Sequence, residues 1–85
     1  MQHNSINYII ENDLKIAELK ILKFLYQNKD SKKTHIEKGT KTNFYQIQIS
    51  LPKLIKLNIV LEKNNLYSIN EKSPIVIKLF GMLEK

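Results

Sequence analysis

Apolar residues recur at helical spacing along the first third of the chain. Leu14, Ala17, Ile21 and Leu25, with Leu22 and Phe24 beside them, line one side of a helix that Asn12 or Asp13 would cap and that runs to about Gln27. The polar run NKDSKK ends it. Thr34 then reads as the cap of a short second helix, with Glu37 completing a capping box, Ile36 as its apolar anchor and Gly39 as its stop.

The next stretch, NFYQIQISLP, carries two periods at once. Tyr45, Ile47, Ile49 and Leu51 alternate with Gln46, Gln48 and Ser50, as in a half-buried strand. Phe44, Ile47, Leu51, Leu54 and Ile55 also form a helical stripe, and that stripe continues to Asn58 where the alternation breaks at Pro52. The longer period wins, and Thr42 or Asn43 is a suitable cap. The spacing predicts a helix over about 43–57, kinked or broken near Pro52, with Ser50 available to cap a second segment.

Val60 and Leu61, then Leu66, Tyr67 and Ile69, suit two strands around Asn64-Asn65, a pair that tolerates the positive φ of a tight hairpin. Ser73-Pro74 places a cap and a first-turn proline ahead of a last helix with Ile75, Leu79 and Leu83 along one side, which Gly81 weakens. The order is three helices, a hairpin and a helix.

Composition adds limits. An 85-residue chain with 42% apolar content makes one small domain, for which dimerisation would be a welcome support. It has no cysteine, so neither a disulfide nor a thiolate metal site can supply that support. No apolar run approaches the roughly 20 residues of a membrane span, and the start MQHNSINYII lacks the features of a secretion signal, so a cytoplasmic protein is expected. Charge is segregated: residues 29–56 hold seven lysines against Asp30 and Glu37, which accounts for +5 of the net +6. Such a basic middle suits an anionic partner, with nucleic acid ahead of a membrane surface; a merely solvated lysine-rich face is the plainer reading.

From about Leu19 to Ile69 the chain resembles a winged helix-turn-helix domain of the kind found in small MarR- and ArsR-like regulators of bacteria and archaea, viral or plasmid-borne ones included. Ile36 matches the isoleucine of the second helix, and Leu51, Leu54, Asn58, Ile59 and Val60 follow the Leu-x-x-Leu-x-x-x-Gly-Leu-Val end of a recognition helix, with asparagine in place of glycine. SINEKSPI resembles the passage from wing to final helix. A longer link after Gly39, and Pro52 inside the recognition helix, depart from the pattern. The resemblance implies an α+β, mostly helical fold: winged helix-turn-helix, with three helices, a β-hairpin wing and a C-terminal helix. Residues 13–70 would form that domain, while residues 1–12 and 71–85 would serve dimerisation.

It also implies sequence-specific binding of double-stranded DNA by the helix over about 43–57, in a transcription regulator acting as a repressor. At ~100° per residue the outward arc gathers Thr42, Tyr45, Gln46, Ile49, Lys53 and Lys56. Asn43 and Gln46 would pair with adenine edges, Ile49 would meet a thymine methyl, Tyr45 would reach a base or phosphate, and Lys53 would hold the backbone. Lys32, Lys33, Lys41 and, on the wing, Lys63 with Asn64 complete the expected contact set. Every cationic side chain is lysine, which lacks the guanidinium fork that reads guanine, so strong salt dependence and AT-leaning specificity are expected. Ile6, Ile9, Ile10, Ile75, Leu79 and Leu83 are the expected homodimer contacts; the plainer reading folds them onto the chain's own core. His3 and His35 stand apart, the carboxylates are unpaired and no phosphate-binding glycine loop exists, so neither enzyme, metal nor cofactor is expected. The alternative is a winged-helix module whose Tyr45 and Ile49 pack on a protein, without direct DNA binding.

Overall fold

The computed structural model describes residues 14–83, with the side chains of Met82 and Leu83 left out. Elements follow in the order α1 (Ile16–Gln27), α2 (Lys33–Thr40), α3 (Phe44–Lys56), β1 (Val60–Lys63), β2 (Leu66–Ile69) and α4 (Pro74–Leu83), a mostly helical α+β arrangement with one antiparallel hairpin. The expectations for residues 1–12, including Ile6, Ile9 and Ile10, lie outside the described residues. Among those described, no helix is long and apolar enough to cross a membrane.

The start of α1 corrects the sequence reading. Asn12 and Asp13 precede the described residues, and Lys15 is the residue in cap position. Glu18 supplies the missing acceptor: its Oε1 takes the Lys15 N–H at 2.9 Å, the reaching-back half of a capping box. From there Ile21, Leu22 and Leu25 point into the core.

Thr34 and Gly39 were also misread. Helix α2 already begins at Lys33, with Lys32 in cap position, and no capping box closes between Thr34 and Glu37. Gly39 lies inside the helix, and the left-handed residue that ends it is Lys41, with φ 56°. What Gly39 provides is room. A Cβ there would overlap the Phe24 ring of α1, so the two helices meet face to ring with no side chain between them.

The ambiguous stretch is one helix. Asn43 caps α3, its Oδ1 accepting the Gln46 N–H at 2.8 Å. Ile47, Ser50, Leu51 and Leu54 form the buried seam, whereas Phe44 and Ile55, expected on that stripe, lie at its exposed margins. Neither does Pro52 break the helix. It removes the bond to the Gln48 carbonyl, but Gln48 and Pro52 are both exposed, so water can take the orphaned acceptor. Ser50 caps nothing; it is buried, and its Oγ accepts from Gln46 Nε2 at 2.9 Å.

The end of α3 is a Schellman motif. Asn58 takes φ 65°, its N–H donates to Ile55 C=O at 2.9 Å, and the Ile59 N–H reaches Leu54 C=O at 3.0 Å. Leu54 and Ile59 are both fully buried, which supplies the apolar contact this motif favours. The chain then enters a hairpin with Val60 opposite Ile69 and Lys63 opposite Leu66. Asn64 and Asn65 have φ of 54° and 64°, as a two-residue turn with two left-handed positions demands. Ser31, between α1 and α2, exchanges both backbone hydrogen bonds with Tyr67, at 2.9 and 2.8 Å, and so adds a one-residue third rung to β2.

Ser73 Oγ accepts the Val76 N–H at 3.5 Å ahead of Pro74, and α4 turns Val76, Leu79 and Phe80 into the core. Phe80 stacks on Tyr26 of α1 with ring centroids 4.1 Å apart and planes 4° from parallel. The expected dimer contacts need correction here. Leu79 is buried within its own chain, Ile75 is half-buried against the same core, and the open apolar residue of α4 is Ile77, at 57% exposure. The Leu83 side chain lies outside the described residues.

Helix propensity says that Gly39→Ala stabilises an interior position by about 0.5–1 kcal/mol. Packing says otherwise, because displacing the Phe24 ring costs about 1–3 kcal/mol. We expect the second effect to win, giving a net loss of roughly 1 kcal/mol in urea unfolding; a gain in stability would show that Phe24 moves aside at little cost.

Candidate nucleic-acid interface

Because α3 buries one seam, its opposite side is left to solvent. Tyr45 is 75% exposed and Ile49, one turn further on, 47% exposed; Gln48, Pro52 and Lys56 are open as well. The strand reading of Tyr45, Ile47 and Ile49 is thereby excluded, since Ile47 is fully buried while its two neighbours face out.

The remaining expected contact residues divide into those that are available and those already engaged. Lys32 and Lys41 are exposed at the two ends of α2, and Lys63 and Asn64 are exposed at the hairpin tip. Lys33 is half-buried, its Nζ 5.9 Å from the centre of the Tyr67 ring. Thr42 is half-buried and donates a long hydrogen bond, 3.5 Å, to Thr40 C=O. Both amide side chains meant for base edges have local work: Asn43 caps α3, and Gln46 donates to Ser50. Each still has polar atoms to spare, because an amide group carries two donors and a two-lone-pair acceptor.

Lys53 departs furthest from expectation. Its Nζ turns toward α1 and pairs with Glu18 Oε1 at 3.0 Å, the same oxygen that receives the Lys15 N–H. Glu18 is 1% exposed, so its carboxylate relies on these two donors in place of water. Lys53 therefore belongs to the frame that fixes α3 on α1, and its charge is largely spent there. Sequence patterning missed Glu18, although a carboxylate within a helical run of Ile, Leu and Leu could have flagged a buried partner for a distant lysine.

Three elements border a common depression. Lys32, Lys33 and Thr34 from the start of α2, Phe44 from the start of α3, and Asn65 and Tyr67 from the hairpin line it. Two of the chain's expected contact lysines thus stand beside both the first residue of α3 and the hairpin turn. The described residues contain no group of three or more histidine, aspartate or glutamate side chains placed to hold a metal ion, and His35 is exposed. Compared with known proteins, the chain matches no family model, no curated protein and no solved structure.

Removing the half-buried lysine strands a buried carboxylate. Lys53→Met should lower stability by about 2 kcal/mol, and Glu18→Gln added to it should recover part of that loss, because the amide needs no counter-charge. Equilibrium denaturation of the two single variants and the double variant checks this; strictly additive losses would mean the pair is uncoupled.

Proposed function

We propose that the chain is a winged helix-turn-helix protein that binds double-stranded DNA, with α3 in the major groove and the β1–β2 hairpin as the wing, and that it acts as a transcription regulator of the repressor kind. The observation that carries this reading is the exposed pair Tyr45 and Ile49 on the outer face of α3, one turn apart on a helix whose inner face is sealed into the core. An aromatic ring and a branched aliphatic chain one turn apart on an otherwise polar helix face suit a duplex, whose thymine methyls and base edges offer both apolar and hydrogen-bonding surface.

Electrostatics supports the same reading. Lys32, Lys41, Lys56 and Lys63 are exposed and Lys33 is half-buried; all five are single charges suited to phosphates rather than to bidentate reading of guanine. Lys53 is taken as a structural residue. A repressor of this size would occupy its operator as a symmetric pair, with two α3 helices about one DNA turn apart, and Ile77 is the described apolar residue of α4 open enough to take part in such pairing.

Tyr45→Ala and Ile49→Ala test the reading on a duplex selected from a random pool. Each should weaken binding by roughly 1–3 kcal/mol, about tenfold or more, while the unfolding midpoint stays within a degree or two, because neither side chain is buried. Unchanged affinity in both variants would direct attention to a protein partner for this face.

A further inference from the structure

Ser50 is out of place in the seam that α3 buries. Its neighbours there, Ile47, Leu51 and Leu54, are apolar, and it is itself 0% exposed. Alanine would fill nearly the same space, favour the helix more and bury no polar atom. What the hydroxyl touches is Gln46, one turn earlier: Ser50 Oγ accepts from Gln46 Nε2 at 2.9 Å. A hydrogen bond rooted at a buried oxygen has no water competing for that oxygen, so it holds the carboxamide more firmly than an exposed contact would.

That anchor decides what Gln46 has left to offer. A carboxamide carries two N–H donors and one acceptor oxygen. With one donor held by Ser50, an acceptor and a single donor stay free. Adenine shows the matching pattern in the major groove, an N6–H donor beside the N7 acceptor, whereas guanine shows two acceptors, O6 and N7. An unanchored glutamine can turn both N–H groups toward guanine; the anchored one cannot. Asn43, the other amide at this end of α3, is tied by its oxygen instead, Oδ1 accepting the Gln46 backbone N–H at 2.8 Å, which leaves its NH2 group as the free donor. The two amides therefore carry different chemistry. Gln46 is half-buried and stands at the margin of the open face, within one turn of the exposed Tyr45 and Ile49.

Resting on the reading of α3 as a major-groove helix, we propose that Ser50 is a positioning residue for base recognition. It holds the Gln46 N–H that points away from Oε1, so that Oε1 and the N–H beside it form a bidentate reader of adenine. The two-donor arrangement that guanine would take is withheld. The buried hydroxyl never touches DNA; it acts through Gln46, and the preference it creates is for one A·T pair in the bound site. Selectivity for A·T thus has a source beyond the absence of arginine.

The test is selection of duplexes from a random pool by the full chain, followed by affinity for the selected duplex with each position changed through every base pair. At one position A·T should be preferred over G·C about tenfold, and Gln46→Ala should abolish that preference. Ser50→Ala should cut it to about threefold or less, as expected when the hydrogen bond that orients the reader is lost. The salt slope should stay the same and the melting temperature unchanged or higher, because phosphate contacts and apolar packing are untouched. A purely structural serine would leave the base preference where it was. Should Ser50→Ala fail to fold, Ser50→Cys, close in volume but a weak acceptor, carries the same expectation. Gln46→Glu leaves the core alone. Its carboxylate accepts the Ser50 O–H and has only acceptors to offer, so the preference should move from adenine to cytosine, which displays N4–H. A preference that survives loss of the Ser50 hydroxyl, stays on adenine in Gln46→Glu, or never depended on Gln46 would overturn the proposal, while steeply salt-dependent duplex binding would leave the DNA reading standing. No duplex binding at any salt removes both.

Discussion

A helix of 13 residues resting on a single small core can hide only one of its faces, and α3 is where this protein spends that limit. Ile47, Ser50, Leu51 and Leu54 are sealed, and the seam is pinned at both ends: by the Asn43 cap at the start and by the Schellman closure through Asn58 at the finish. Once rotation about the helix axis is fixed, the outer face is fixed as well. Tyr45 and Ile49 are exposed because Ile47 and Leu51 are not.

The Glu18–Lys53 pair adds a directional restraint to a contact that is otherwise greasy. Apolar seams tolerate small rotations and slides, whereas a buried carboxylate shared between a helix-start amide and a lysine accepts few alternatives. The carboxylate that closes the first turn of α1 thus also sets where α3 sits, which ties the outward helix to the first element of the fold. On the far side, Ser31 and Tyr67 tie the α1–α2 link to the hairpin, so the start of α2, the start of α3 and the hairpin turn surround one depression.

Much of this was legible from residue pattern. The α3 stripe outlasted the competing alternation, Asn43 was a recognisable cap, and Asn58, Asn64 and Asn65 took the left-handed backbone that their type allows. What could not be read were effects that depend on a distant neighbour. Gly39 looks like a stop in sequence and is a contact point in space, because only the fold brings Phe24 against it. Lys53 looks like a surface cation, and its partner lies on another helix. Leu79 looks like part of a free apolar face until α4 is seen lying on α1 through Tyr26 and Phe80. Of the residues expected at an interface, Tyr45, Ile49, Lys32 and Lys41 are exposed, as their spacing implied, and the amide side chains of Asn43 and Gln46 have local hydrogen bonds that pattern alone did not reveal.

The central claim, that the outer face of α3 and the lysines around it meet a polyanion, is tested most directly by the equilibrium constant for random-sequence duplex DNA measured across a range of salt. With five lysines at phosphates, log K should fall against log salt with a slope of about −4.5. Undetectable binding even at low salt, or a slope near zero, would contradict it.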